Sequence, residues 1–174
     1  MIFNGNTNLM KYLWSPWRMK YIQEHTYNKI GCTFCKLLDQ DDGPNNLVLL
    51  RDENIFIVMN RFPYTSGHVM VIPKEHKPTF EDLNSQVLLD IMRFSNESMR
   101  IIRKLYNPQA FNIGANIGEA AGAGVADHVH MHVVPRWNGD TNFMSTLGHT
   151  RVLPEELEET YLRLLSEFKE LARK

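Results

Sequence analysis

The sequence predicts an α+β fold built on an antiparallel sheet. Three observations lead there. Two β-rich runs, 54–60 and 67–73, are joined by "RFPYTS", too short for a parallel crossover and suited to antiparallel neighbours. A long helix-period run at 85–106 separates them from later strand-like runs. A second helical pattern closes the chain, and strands grouped on either side of a helix argue for α+β.

The elements follow in order. The first 30 residues contain "YLWSPWRMKYI", aromatic and basic, with Pro16 interrupting any helix. They read as a strap packed over the core; the alternative is an arm reaching a subunit or substrate. "DQDDGPNN" (39–46) is a polar turn cluster. "NIFIVMN" (54–60) and "GHVMVIP" (67–73) read as strands, punctuated by Pro63, Gly67 and Pro73. In "SQVLLDIMRFSNESMRIIRKLY", apolar residues recur near the helix period, with Arg93, Asn96, Glu97 and Arg100 on the other faces. Its Met and Leu residues are expected in the core, and Asn107-Pro108 ends it. "AFNIGANIG" reads as a strand, "EAAGAGVAD" as a small-residue loop and "HVHMHVVPR" as a third clear strand. From Pro154 a second helix is expected, with Glu155, Glu156, Glu158 and Glu159 favoured near its N-terminus by the helix dipole. Leu157, Tyr161, Leu164, Leu165, Phe168 and Leu171 form its apolar face. One domain is expected over 1–174, with 1–30 as the N-terminal strap and 150–174 carrying the C-terminal helix.

Composition narrows the function classes. The net charge of −1 gives no global basic surface for nucleic acid. No segment approaches the roughly 18 consecutive apolar residues of a membrane span. The N-terminus has no continuous apolar stretch of the signal-peptide kind, so the expected location is cytoplasmic. The two cysteines form one C-x-x-C pair, Cys32 and Cys35. In a reducing compartment that is a redox pair or half of a metal site.

The strongest chemical signal is "DHVHMHVVPRW". Three of the seven histidines, His128, His130 and His132, occupy alternate positions. On a strand they share one face, roughly 6.5–7 Å apart. Val129, Met131, Val133 and Val134 are expected to fill the other face. Three readings stand: structural histidines, three ligands of one metal, or a nucleophile with supporting imidazoles. Upstream, "GANIGEAAGAGVAD" carries Gly114, Gly118, Gly122 and Gly124 among alanines. Small residues let backbone N–H groups approach an anion. Beside a histidine face, this suggests a phosphate site.

These residues resemble the histidine-triad (HIT) family. "HVHMHVV" matches its His-φ-His-φ-His-φ-φ motif, with φ apolar, and "CTFCKLL", "VMNRFPYTSGHVMVIPKEH" and "GEAAGAG" fall in the family's order. The resemblance implies a HIT-like fold: an antiparallel sheet of about five strands with two main helices, usually a homodimer. It implies a nucleotide hydrolase or nucleotidyl transferase. His130 would be the nucleophile on the α-phosphorus, and His132 a donor to the phosphate oxygens. A neutral imidazole is a competent nucleophile near pH 7. Gly124 and Val125, with Asn116, would hold charge developing on phosphorus. Asn60 falls at the ribose position, or is simply a turn asparagine ending a strand. His68 falls near the nucleotide, or is a structural histidine bonded to backbone.

The resemblance also turns Cys32 and Cys35 into ligands of a structural zinc, with His76 and His128. The rival is an unoccupied thiol pair. "LWSPWRMKYI" and "VVPRWNGDTNFM" resemble the bacterial branch akin to diadenosine tetraphosphate phosphorylases. Asn142 and Trp137 are then candidates beside the polyphosphate or base. The chain departs from the family pattern in "AGAGVAD". That loop lacks the Gln and Ser side chains that assist the leaving group in many members, and it is one residue longer than in the common hydrolases. The expected substrate is a nucleoside or dinucleoside polyphosphate. The alternatives are a nucleoside phosphoramidate hydrolase, a nucleotide-binding adaptor with little turnover, and a zinc enzyme whose metal activates water.

Overall fold

In the computed structural model, the structure describes residues 31–140 and 155–173. A short helix, α1 (Thr33–Leu38), opens the described chain. Strands β1 (Val48–Arg51), β2 (Ile55–Met59) and β3 (Val69–Pro73) follow, then helix α2 (Ser85–Tyr106). Strands β4 (Ala110–Gly114) and β5 (Met131–Arg136) and helix α3 (Leu157–Leu171) complete it. The five strands form one sheet in the order β1-β2-β3-β5-β4, with antiparallel neighbours throughout.

The expected sheet is present, and β2 and β3 lie where short apolar runs and bounding turns place them. Both are buried at every position, because the sheet is covered on both faces at its centre. β1 and α1 are additional to the elements expected from sequence. "VLLR" is too short to show a period, and six residues make less than two helical turns.

Register sorts the strand residues by face. Val69 pairs with Val133 and Val71 with Met131, while Met70 pairs with His132. Gly67 (φ +79°) sits where an added Cβ would meet Pro135, Tyr106 and Ile102, so the odd-numbered residues of β5 face α2. Alternation then puts Val134 on the face of His132, which corrects its expected placement among the residues opposite the histidines. The expected strand at 128–136 also begins later. His128, Val129 and His130 precede the paired segment, which starts at Met131. Val129 is still tied laterally, its N–H donating to Lys77 O at 2.7 Å. Likewise the strand expected through 118 ends at Gly114.

Helix α2 matches its expected span. Asn84 caps it by accepting from Val87 N–H, and Asn107 ends it in the left-handed conformation, φ +44°. Val87, Ile91, Phe94, Ile101 and Ile102 are buried, but Leu89 and Met92 are exposed, against the expectation of core positions. Asp90, Ser95 and Ser98 are buried instead. The two serines satisfy themselves on carbonyls four residues back, and Asp90 accepts from Asn54 and Gln86. Helix α3 buries Tyr161, Leu164 and Phe168 against the core, as its apolar stripe requires. Tyr161 OH donates to Val48 O at 3.0 Å, fastening α3 to β1. Pro154, the 1–30 strap and Asn142 lie outside the described residues.

Candidate active site

His130 is 5% exposed and sits at the mouth of β5. Its Nδ1 lies 2.9 Å from the His128 carbonyl oxygen. A carbonyl only accepts, so Nδ1 carries the proton and Nε2 is left with its lone pair. Burial is the main cause that holds the His130 pKa below the ordinary value. The charge of His128 pushes the same way, and the hydrogen bond to the carbonyl pulls against both. The ring is thus neutral at physiological pH, as a nucleophile requires. It lines a cavity of about 190 Å³, together with His132, Asn60, Asn116, Gly124 and Val125.

The same accounting fixes His132. Tyr64 N–H donates to His68 Nδ1 at 3.2 Å, and the Asn60 amide nitrogen lies 3.3 Å from that atom. Both contacts require Nδ1 of His68 to be unprotonated, which puts its proton on Nε2. His68 Nε2 lies 3.0 Å from His132 Nδ1 and donates to it. His132 then carries its proton on Nε2, beside the cavity that it lines. Two neighbouring imidazoles, 4.8 Å apart between ring centres, are thereby held in opposite roles. One offers a lone pair and the other an N–H.

Of the sequence-predicted residues, Asn60, Asn116, Gly124, Val125, His130 and His132 converge on one cavity. His68 is fully buried behind it and reaches it through His132. The Asn60 carbonyl oxygen accepts from Phe62 N–H at 3.0 Å, so this side chain also shapes the turn after β2. Trp137 follows β5 and does not line the cavity. The small-residue loop reaches it through a short 3₁₀ turn, Glu119–Ala121, ended by Gly122 at φ +83°. Among residues that sequence reasoning missed, Phe34 packs edge-on to both His128 and His130. Thr33, Leu37, Arg61 and Met70 also line the cavity. An aromatic residue inside a C-x-x-C pair carries no separate signal in sequence.

The third cluster is Cys32, Cys35, His76 and His128, which could hold a metal ion; their ligand atoms all lie within 4.8 Å of one another. Cys32 Sγ is 3.3 Å and Cys35 Sγ 3.7 Å from His128 Nδ1, and Cys35 Sγ is 3.3 Å from His76 Nδ1. His128 Nε2 donates to Pro73 O at 2.8 Å, which turns Nδ1 toward the thiols. Burial pushes the Cys32 thiol up, but the His128 hydrogen bond and charge, with backbone hydrogen bonds from Cys35 and Phe34, outweigh it and bring it to about 6. Burial and the neighbouring Cys32 push Cys35 up. The pair therefore presents one thiolate at neutral pH, and a thiolate is the ligating form.

Comparison with known proteins agrees with this geometry. A protein named AP-4-A phosphorylase from Mycobacterium tuberculosis is 34% identical over 173 residues, covering 94% of this chain and 87% of that protein. The crystal structure of a Zn-bound histidine triad family protein from Mycobacterium smegmatis superposes with a TM-score of 0.66 at 29% identity, covering 83% of this chain and 97% of that one. Plasmodium falciparum diadenosine triphosphate hydrolase shares the fold, with a TM-score of 0.60 at 21% identity over 90% of this chain and 98% of that one. The HIT domain family model matches residues 44–139. With His130 and His132 at one cavity, His128 turned to the thiols and a five-stranded antiparallel sheet beneath them, this chain belongs to the HIT domain family.

Proposed function

We propose that the protein cleaves a dinucleoside polyphosphate of the diadenosine tetraphosphate type at an α-phosphate, through a nucleotidyl group carried on His130. The observation that carries this reading is the pair of opposed imidazole roles: a lone pair on His130 Nε2 beside an N–H on His132 Nε2. In the first step His130 Nε2 bonds to the α-phosphorus. The bond from that phosphorus to the bridging oxygen breaks, and the nucleoside triphosphate leaves with the electron pair. His132 Nε2–H steadies the non-bridging oxygens. In the second step an acceptor oxygen displaces His130. Water yields AMP, and inorganic phosphate yields ADP.

The phosphate acceptor is the reading we favour. Its support is the Mycobacterium tuberculosis relative, named AP-4-A phosphorylase and matched over nearly the whole chain. Incubation with diadenosine tetraphosphate, with and without phosphate, followed by product analysis, tests it. ADP formed only with phosphate is the expected outcome. AMP formed equally in both arms would make it a hydrolase, and no cleavage at all would sink the enzyme reading in favour of an adaptor. His130→Ala should abolish both cleavage and any covalently labelled protein.

We assign zinc to the Cys2His2 group. Zinc–sulfur bonds of about 2.3 Å and zinc–nitrogen bonds of about 2.0–2.1 Å imply tetrahedral S···N edges of about 3.6 Å, and the thiol–imidazole separations of 3.3–3.7 Å fit such a frame. Bound there, zinc would supply cross-linking rather than activation of water, because His130 is not one of the four. We also propose a homodimer in the cytoplasm. β4 is an edge of the sheet, exposed along most of its length, with Ile113 at 40%. A bare edge of this kind invites pairing with a second copy. A monomeric mass in solution would refute the pairing. The thiols suit a reducing compartment, and export of the chain to an oxidising one would refute that location. No helix among the described residues is long and apolar enough to cross a membrane.

A further inference from the structure

Helix α1 belongs to two sites at once. Its N-cap, Cys32, and its third residue, Cys35, supply both thiols of the metal group. Thr33 and Phe34, which lie between them, and Leu37, one turn on, wall the cavity in front of His130. A six-residue helix has little stability of its own, so its position is set by what it touches. Arg51 grips the C-terminal end, donating to Leu37 O at 2.7 Å and to Gln40 O at 3.0 Å. Phe34, buried in the core, pins the middle. The N-terminal end has no side-chain cap, and its thiols lie against His128 and His76.

We propose that α1 couples the metal centre to the nucleotide pocket, and that Phe34 is the positioning residue through which the coupling runs. Metal ligation fixes Cys32 and Cys35, and Phe34 is carried between them. Its ring stands edge-on to the ligand His128 at 5.5 Å and to the nucleophile His130 at 4.9 Å between centroids. The same ring is pocket wall. A nucleotide seated against it restrains the helix that the metal also restrains. Two ligands that order one element assist each other, and the assistance is reciprocal. The metal tightens nucleotide binding by the factor with which the nucleotide tightens metal binding. Phe34 also stands between ligand and nucleophile, so it hands the position of the first to the second.

The inference rests on the reading that the pocket takes a nucleotide, and its test separates the two. Zinc affinity of the full-length protein is measured by competition with a chromophoric chelator, with and without adenosine monophosphate. Binding of the nucleotide to zinc-loaded and zinc-stripped protein is measured by calorimetry. Saturating adenosine monophosphate should raise zinc affinity roughly five-fold or more, the lower end for coupled sites. Zinc should raise nucleotide affinity by the same factor. Nucleotide binding with unchanged zinc affinity overturns the coupling and leaves the nucleotide reading intact. Failure of the zinc-loaded protein to bind the nucleotide overturns both. Phe34→Leu keeps the thiols and an apolar wall but loses the ring edge. At nucleotide concentrations saturating for the variant, it should still bind zinc, with an affinity that the nucleotide no longer changes. An undiminished effect in this variant overturns the role of Phe34.

Discussion

At the scale of single residues, the site works by assigning protons. His130 keeps its Nε2 lone pair because its other nitrogen is spent on a carbonyl, and burial keeps the ring neutral. The sign follows directly. The reactive form exists above the folded pKa and is lost as pH falls through it, and that pKa lies below the ordinary 6.5. The acid limb of kcat/KM is therefore expected below pH 6.5, and a limb at or above 6.5 would contradict the assignment. The same shift makes His130 cost stability in acid, because the unfolded chain takes up the proton first as pH falls through 6.5. His132 owes its donor to His68. His68→Leu should lower kcat by about 10²-fold, the usual effect of losing one preorganised donor on a developing oxyanion. KM should hold, in protein that still melts cooperatively; a change confined to KM would place His68 in binding instead. None of this proton assignment can be read from sequence. The alternation of histidines shows that they travel together, but tautomers depend on Tyr64 N–H, on the His128 carbonyl and on a second histidine 64 positions away.

At the scale of elements, legibility tracks length and period. α2 shows across its whole span because 22 residues give six turns of amphipathic pattern. β2 and β3 show because turn residues bound them. β1 and α1 do not show, and α1 with its N-cap proves to supply both thiols of the Cys2His2 group. The C-x-x-C half of the candidate metal group shows in the sequence by itself, but its histidine half was legible only through the family motif, since His76 is 41 positions from Cys35 and His128 is 96 from Cys32. Phe34 reads as ordinary packing until its two imidazole neighbours are seen. What keeps α1 in place was equally hidden: Arg51, at the end of an unexpected strand, satisfies carbonyls at the end of an unexpected helix. Its ion pair with half-exposed Asp42 adds little. Arg51→Ala leaves those carbonyls to water, and we expect a loss of about 1.5–3 kcal/mol, the range for hydrogen bonds to a charged group. Urea unfolding measures it, and an unchanged midpoint would show that α1 is held elsewhere.

At the scale of the whole molecule, the two faces of one sheet divide the work. One face packs α2 and α3 and gives the protein its core; the other carries the histidines, the cavity and the thiols. Stripping a metal held by the Cys2His2 group should then weaken the molecule without exposing that core at once. We expect a chelator to lower the midpoint of thermal unfolding while far-ultraviolet circular dichroism at 25 °C is unchanged. Full loss of the helical signal on chelation would mean that the sheet does not stand on its own packing.

A metal gripped by Cys32 and His128 joins points 96 residues apart along the chain. All of β1, β2, β3, α2 and β4 lies within the loop so closed. In the chain-entropy account, a permanent tie across a loop of this length removes on the order of 4–5 kcal/mol of freedom from the denatured ensemble. A denatured chain that keeps the ion at both points starts its search with the β3–β5 pairing half made, because the long separation between those strands has already been spanned. The ion would then act as a shortcut in contact order, speeding refolding of the same topology that the bare chain must reach by diffusion.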